Sequence, residues 1–150
     1  MMFWFPKKRN YYITNIKNHY KFSHYEKDLL ALRMEIIEQF PSYLISFDHV
    51  MKGTDLSLYN MFVGKRIVME KYFTWLFSLL IPLERKIQYQ EYDNYQKRVF
   101  GFMAERLFNV WLSHNKNEIN IGYLDVINIE GENIFKKAFG LINRQFLARK

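Results

Sequence analysis

Asn94, Arg98, Gly101 and Glu105 follow one another at spacings of four, three and four, and Asn109 continues the series. Such spacings fall along one face of a helix. The chemistry on offer is that of a carboxylate able to take a proton and a guanidinium able to hold a phosphate or carboxylate. Gly101 between them leaves a shallow notch where a ligand or another backbone can approach. Glycine costs about 1 kcal/mol relative to alanine inside a helix, so it asks for a packing or a site reason. Spacing alone favours a plainer reading, a solvated face with an ordinary ion pair. Against that stands the apolar setting of Phe100, Phe102 and Met103, which suggests a buried helix in which Arg98 and Glu105 would need partners.

Other polar residues stand where they could meet a ligand. Asn60 sits inside the apolar run Ser57–Val63, and it suits a ligand or a neighbouring backbone equally well. His24 and Asp28 lie four apart across a helix start, as a hydroxyl-orienting pair or an ordinary cap interaction. Tyr95 and Gln96 open the segment that carries Arg98. Motifs for several other chemistries are missing. The sequence contains no glycine-rich phosphate loop, no nucleophile elbow, no His-x-x-x-His pair and no Asp-x-Asp pair. Four scattered histidines (His19, His24, His49, His114) argue for structural or surface roles rather than for zinc.

The elements that must position these residues are mostly helical. The spacing predicts a helix over Glu26–Phe40, with Leu29, Arg33, Ile36 and Phe40 on one face and Ser23 with Glu26 as a capping box. Pro41 opens a second helix, Ser42–Met51, with Leu44, Phe47 and Met51 inward. A long helix from about Ile67 to Ile87 presents Val68, Tyr72, Leu76, Leu79, Leu83 and Ile87, and Pro82 should kink or divide it. Asp93 caps a third long helix, about Asn94 to His114, with Phe100, Met103, Leu107 and Trp111 on its apolar side. Residues 11–24 form a short helical or irregular stretch. Strands are expected near 3–5, 57–63 and 123–129. Phe3–Phe5 reads as a strand with nothing before it to pair with, which places its sheet partners outside the sequence. Residues 133–150 make a final helix in which Lys136, Lys137, Arg144, Arg149 and Lys150 accompany Phe135, Phe139, Ile142 and Phe146.

Bulk composition sets limits. At 150 residues and 18.4 kDa the chain has the size of one domain, with material for a real core. The net charge of +7 favours an anionic partner, either a nucleotide-sugar diphosphate, anionic lipid or nucleic acid. Aromatics reach 19%, enough to stack on sugars, though core filling accounts for such a surplus more simply. Without cysteine there is no disulfide framework and no thiolate metal site. The longest apolar stretch, Phe73–Leu83, falls short of the roughly 20 residues a membrane span requires.

Five segments in order carry a resemblance: Pro6–Ile13, His24–Asp28, Tyr59–Phe62, Tyr95–Gly101 and Glu105–Trp111. Together they resemble the C-terminal half of a bacterial domain-of-unknown-function family found among capsule, exopolysaccharide and lipopolysaccharide synthesis enzymes. The resemblance covers Phe5 to about Ile129. It implies an α+β, predominantly helical fold, the C-terminal part of a GT-A-like α/β glycosyltransferase, over residues 1–130. It further implies transfer of a sugar, galactosyl among the options, from a nucleotide-sugar donor to a growing glycan. The family's strand-rich nucleotide-binding half has no counterpart here, so the isolated chain is expected to be inactive. Carried onto this sequence, Glu105 becomes the general base and Arg98 the contact to diphosphate or acceptor charge. Asn60, His24, Asp28, Tyr95 and Gln96 become sugar-hydroxyl contacts. A divalent metal such as Mg or Mn stays open, since the chain has no motif for one.

Residues 131–150 read as a basic amphipathic helix suited to anionic lipid, or equally to packing on the chain's own core. The first option gives a cytoplasmic protein, peripheral at the inner face of the membrane, with a glycan or lipid-linked glycan as acceptor. The competing readings are a non-catalytic helical binding module and an inactive truncated remnant. Nucleic acid is not the expected partner, because most aromatics fall on the apolar helix faces rather than among the basic residues.

Overall fold

The computed structural model describes residues 2–58 and 61–125, with the backbone alone for Met2 and Phe3. The described residues are mostly helical with a few short strands. They run β1 (Met2–Pro6), β2 (Arg9–Asn10), α1 (Ile16–Ser23), α2 (Glu26–Gln39), α3 (Leu44–Lys52), β3 (Asp55–Leu56), β4 (Val63–Gly64), α4 (Arg66–Lys86), α5 (Val99–His114) and β5 (Asn120–Leu124). Short 3₁₀ turns at Pro41–Tyr43, Tyr89–Glu91 and Gln96–Arg98 join the helices.

α4 follows its apolar period closely. Val68, Tyr72, Leu76, Leu79, Leu83 and Ile87 are all buried. Pro82 does not divide it, and the helix continues to Lys86. Proline removes one helical hydrogen bond and crowds the carbonyl four residues back, a cost of about 3 kcal/mol that the burial of Leu79, Leu80 and Leu83 around it outweighs. α5 is the central helix. Met103, Leu107, Phe108, Val110 and Trp111 are buried, and α5 touches α2, α3 and α4. Much of the aromatic surplus is core. Phe108 meets Phe5 edge-on at 5.6 Å, Tyr72 at 5.3 Å and Phe62 in a stack at 5.2 Å.

The strand at the start of the sequence has its partners inside the chain. β1 is the middle strand of a three-stranded sheet, antiparallel to β4 and parallel to β5, with Trp4 opposite both Val63 and Gly122. The expected outside partners are therefore not needed. Arg9–Asn10 is likewise a strand rather than a plain loop, pairing with Leu56 and Asp55.

Other boundaries move for identifiable reasons. Ser23 does not cap α2, because it closes α1; His24 is extended and α2 starts after Tyr25 without a side-chain cap. α1 draws its cap from Asn15, whose Oδ1 accepts from Asn18 N at 2.8 Å. The inward face of α2 comprises Asp28, Leu29, Leu32, Glu35 and Ile36, which leaves Leu30 and Met34 exposed. Two buried carboxylates disguise that face in a pattern read by hydropathy. The run 57–63 is not one strand. Its flanks, β3 and β4, belong to different sheets. The last described strand spans 120–124, earlier than expected; 126–129, Asn60 and the helix at 131–150 lie outside the described residues.

Candidate functional site

The start of α5 departs from the sequence expectation. Asp93 Oδ1 accepts from the backbone N–H groups of Tyr95 and Gln96 at 2.8 and 2.9 Å, so Asp93 caps the turn that leads into the helix, while α5 itself starts after Arg98 without a side-chain cap. The first turn is the 3₁₀ segment Gln96–Arg98, and α5 begins at Val99.

Phe102, one turn into α5, gathers three of the predicted site residues. The His24 ring stacks on it at 3.9 Å and 26°, Tyr95 lies against it at 5.2 Å, and the Arg98 guanidinium is 5.6 Å from its centroid. Gln96 fixes the imidazole. Its Nε2 donates to Ser23 O at 2.8 Å, so its Oε1 faces His24 Nδ1 at 3.1 Å. An amide oxygen can only accept. Nδ1 of His24 therefore carries the proton, and in the neutral ring Nε2 is the acceptor. Gln96 uses both ends of its amide to lock the α1–α2 junction, which makes it a positioning residue for His24.

Gly101 adjoins this cluster on the exposed side of α5. A Cβ built there would meet nothing within 4 Å, so no packing demand explains the glycine. Glu105 lies one turn further on, its side chain 24% exposed. Asn109 ends the stripe indoors. Its Oδ1 accepts from Ser57 N at 3.0 Å, while its Nδ2 donates to Ser57 O at 2.9 Å and Glu105 O at 2.8 Å. Ser57 Oγ donates to Pro6 O at 3.1 Å, which tethers Ser57 to β1 as well as to α5.

Asp28 stands apart from the open cluster. It is 3% exposed and accepts from Tyr92 Oη at 2.9 Å. Burial raises its carboxyl above the ordinary range, against the opposing pull of the Tyr92 hydrogen bond and of Lys27. In this conformation the carboxylate is turned to Tyr92 rather than to solvent.

Arg106 was not among the candidate residues. The side chain is 2% exposed. Nη1 donates to Phe102 O at 2.7 Å and lies 3.8 Å from Glu105 Oε2, and the guanidinium faces the Tyr20 ring at 4.7 Å. Desolvation lowers its pKa, with Tyr20, Tyr11, Glu105 and Tyr95 acting in the opposite sense. A signal was available. An arginine between Phe102 and Val110 on a helix with apolar residues all round has to be buried. Among the described residues no group of three or more His, Cys, Asp or Glu could hold a metal ion.

Comparison with solved structures finds a likeness to the WbbM bifunctional glycosyltransferase in its apo form, at a TM-score of 0.73 and 28% identity. The likeness covers 82% of this chain and 23% of that one, so the chain spans less than a quarter of the structure it resembles. No curated protein matches. A family model, the domain of unknown function DUF4422, matches residues 2–116. The chain therefore belongs to the DUF4422 family, as a glycosyltransferase-related domain.

Proposed function

We propose that the chain forms the acceptor side of a GT-A-like glycosyltransferase that builds capsule, exopolysaccharide or lipopolysaccharide from a nucleotide-sugar donor, galactosyl among the candidates. The observation that carries this reading is the arrangement around Phe102. His24, Tyr95 and Arg98 collect on one aromatic ring beside an unobstructed glycine, with a half-buried carboxylate one turn away. Aromatic rings and hydrogen-bonding groups together suit a sugar, whose C–H faces stack while its hydroxyls need donors and acceptors.

In this proposal Glu105 removes the proton from an acceptor hydroxyl. The hydroxyl oxygen attacks the anomeric carbon, and the bond to the nucleotide diphosphate breaks. Arg98 meets the charge on the leaving diphosphate or on an anionic acceptor. His24 Nε2 and the Tyr95 hydroxyl contact sugar hydroxyls, Gln96 acts through His24, and Asn60 completes the contacts, whereas Asp28, buried against Tyr92, is left out of them. Donor-binding parts come from sequence beyond these 150 residues, in keeping with the small share of the WbbM chain that is matched. The isolated chain is then inactive.

The test is Glu105→Gln, made at the matching position of a longer family member and assayed with donor and acceptor. Transfer should fall by about 100-fold or more, in line with the loss of a general base. Near-normal transfer rules Glu105 out. No helix among the described residues is long and apolar enough to cross a membrane. Membrane contact is assigned to residues 133–150, holding the enzyme at the inner leaflet beside a lipid-linked acceptor. Co-sedimentation with anionic vesicles should be lost when the chain stops at Gly131.

A further inference from the structure

Arg106 is a buried cation with little to neutralise it. Its neighbours are the carbonyl of its own helix, Glu105 at 3.8 Å and the face of Tyr20. Among the described residues Nε has no hydrogen-bond partner, and neither does the hydroxyl of Tyr20. Buried donors without partners are rare, and each asks for an explanation. Here there are two of them at one contact. Glu105 and the Phe102 carbonyl both lie toward Nη1, which leaves the Nε edge of the guanidinium without an acceptor. Burial raises the Tyr20 pKa, so its hydroxyl stays protonated and remains a donor.

We infer that Arg106 and Tyr20 form a receptor for one oxyanion, the phosphate or carboxylate group of a ligand entering between α1 and α5. The guanidinium offers Nε–H to one oxygen and the Tyr20 hydroxyl donates to another. Tyr11 and Tyr95 are both within electrostatic reach of Arg106. The assignment does not depend on Glu105 acting as a base. It also differs from the role given to Arg98, an exposed residue.

A structural arginine and a receptor arginine respond oppositely to replacement. Exchanging a buried ion whose charge is poorly matched for an apolar side chain of similar length leaves a protein as stable or more so, whereas breaking a satisfied network unfolds it. The experiment follows thermal unfolding of the full chain with inorganic phosphate, pyrophosphate and acetate, for the wild type and for Arg106→Met and Tyr20→Phe. One anion class should raise the wild-type Tm saturably. Phosphate and pyrophosphate acting alone identify a phosphoryl group, and acetate acting alone a carboxylate. Arg106→Met should melt at or above the wild type in plain buffer and lose the anion response. Tyr20→Phe should weaken that response.

A wild type indifferent to all three anions overturns the assignment. So does a response that survives Arg106→Met. Should Arg106→Met fail to fold, the Arg106 Nε–H proton resonance of the wild type, followed through the same titrations, decides. It must shift with the anion, and a stationary signal rejects the site.

Discussion

Asn109 on α5 pairs with Ser57 as a neighbouring strand would, its side-chain amide accepting from the Ser57 N–H and donating to the Ser57 carbonyl. Both residues are buried, so one side chain satisfies a stretch of backbone that no sheet reaches. Asn109→Leu should strand both groups and lower stability by about 3 kcal/mol in urea unfolding. Asn109→Asp, which can still accept but not donate, should fall between.

Gly122 lies opposite Trp4 in the β1–β5 pair, and a Cβ at that position would enter the indole ring. Gly122→Ala should destabilise the chain by about 1–3 kcal/mol, the range for overpacking. Because the obstacle is the Trp4 ring, the same change made in Trp4→Ala should cost much less. A double-mutant cycle of equilibrium unfolding measures that coupling.

Asp28 and Asp48 should give opposite pH signatures. Arg33 donates two hydrogen bonds to Asp48 at 2.9 and 2.8 Å and lowers its pKa. A folded-state pKa below the unfolded value of about 3.9 gives stability that is present above that pH and lost as pH falls through the folded value. Both side chains are 38% exposed, so solvent screening keeps the contribution within about 1 kcal/mol. Asp48→Asn should therefore weaken the protein at pH 7 and converge with the wild type at low pH.

For Asp28 the sign reverses. Burial raises its folded pKa, so folding favours the protonated form, and stability falls as pH rises from the unfolded pKa to the folded one. Asn keeps an oxygen for the Tyr92 hydroxyl without the buried charge. Asp28→Asn should match the wild type below pH 4 and exceed it at pH 7, read from unfolding free energies across pH.

Gln96→Glu keeps an acceptor for His24 Nδ1 but removes the donor to Ser23 O. A carboxylate at that position favours the imidazolium, so the His24 pKa followed by NMR should rise. Stability should fall by about 1 kcal/mol with the lost Ser23 bond.

Local pattern made the long helices readable. The buried apolar positions of α4, Val68, Tyr72, Leu76, Leu79 and Leu83, depend on neighbours within a few residues and occur as the spacing requires, whereas Asp93 caps only the turn before α5. The partners of β1 were not readable, since β4 and β5 lie far along the chain and are short. The site divides in the same way. Spacing on one helix put Arg98, Gly101 and Glu105 on the outer side of α5, while the convergence of His24 on Phe102 required the α1–α2 junction that Gln96 holds. The burial of Arg106 was legible on α5, but its contact with Tyr20 was not, because Tyr20 comes from a helix that composition left indistinct.

The middle position of β1 also orders events in time. Its parallel partner β5 is synthesised last among the described elements, more than a hundred residues after it. During translation the strand Met2–Pro6 must therefore wait on the ribosome with at least one open edge while the helices form around it. Closing that edge is a late, long-range step. Such steps are slow and vulnerable to pairing between nascent chains.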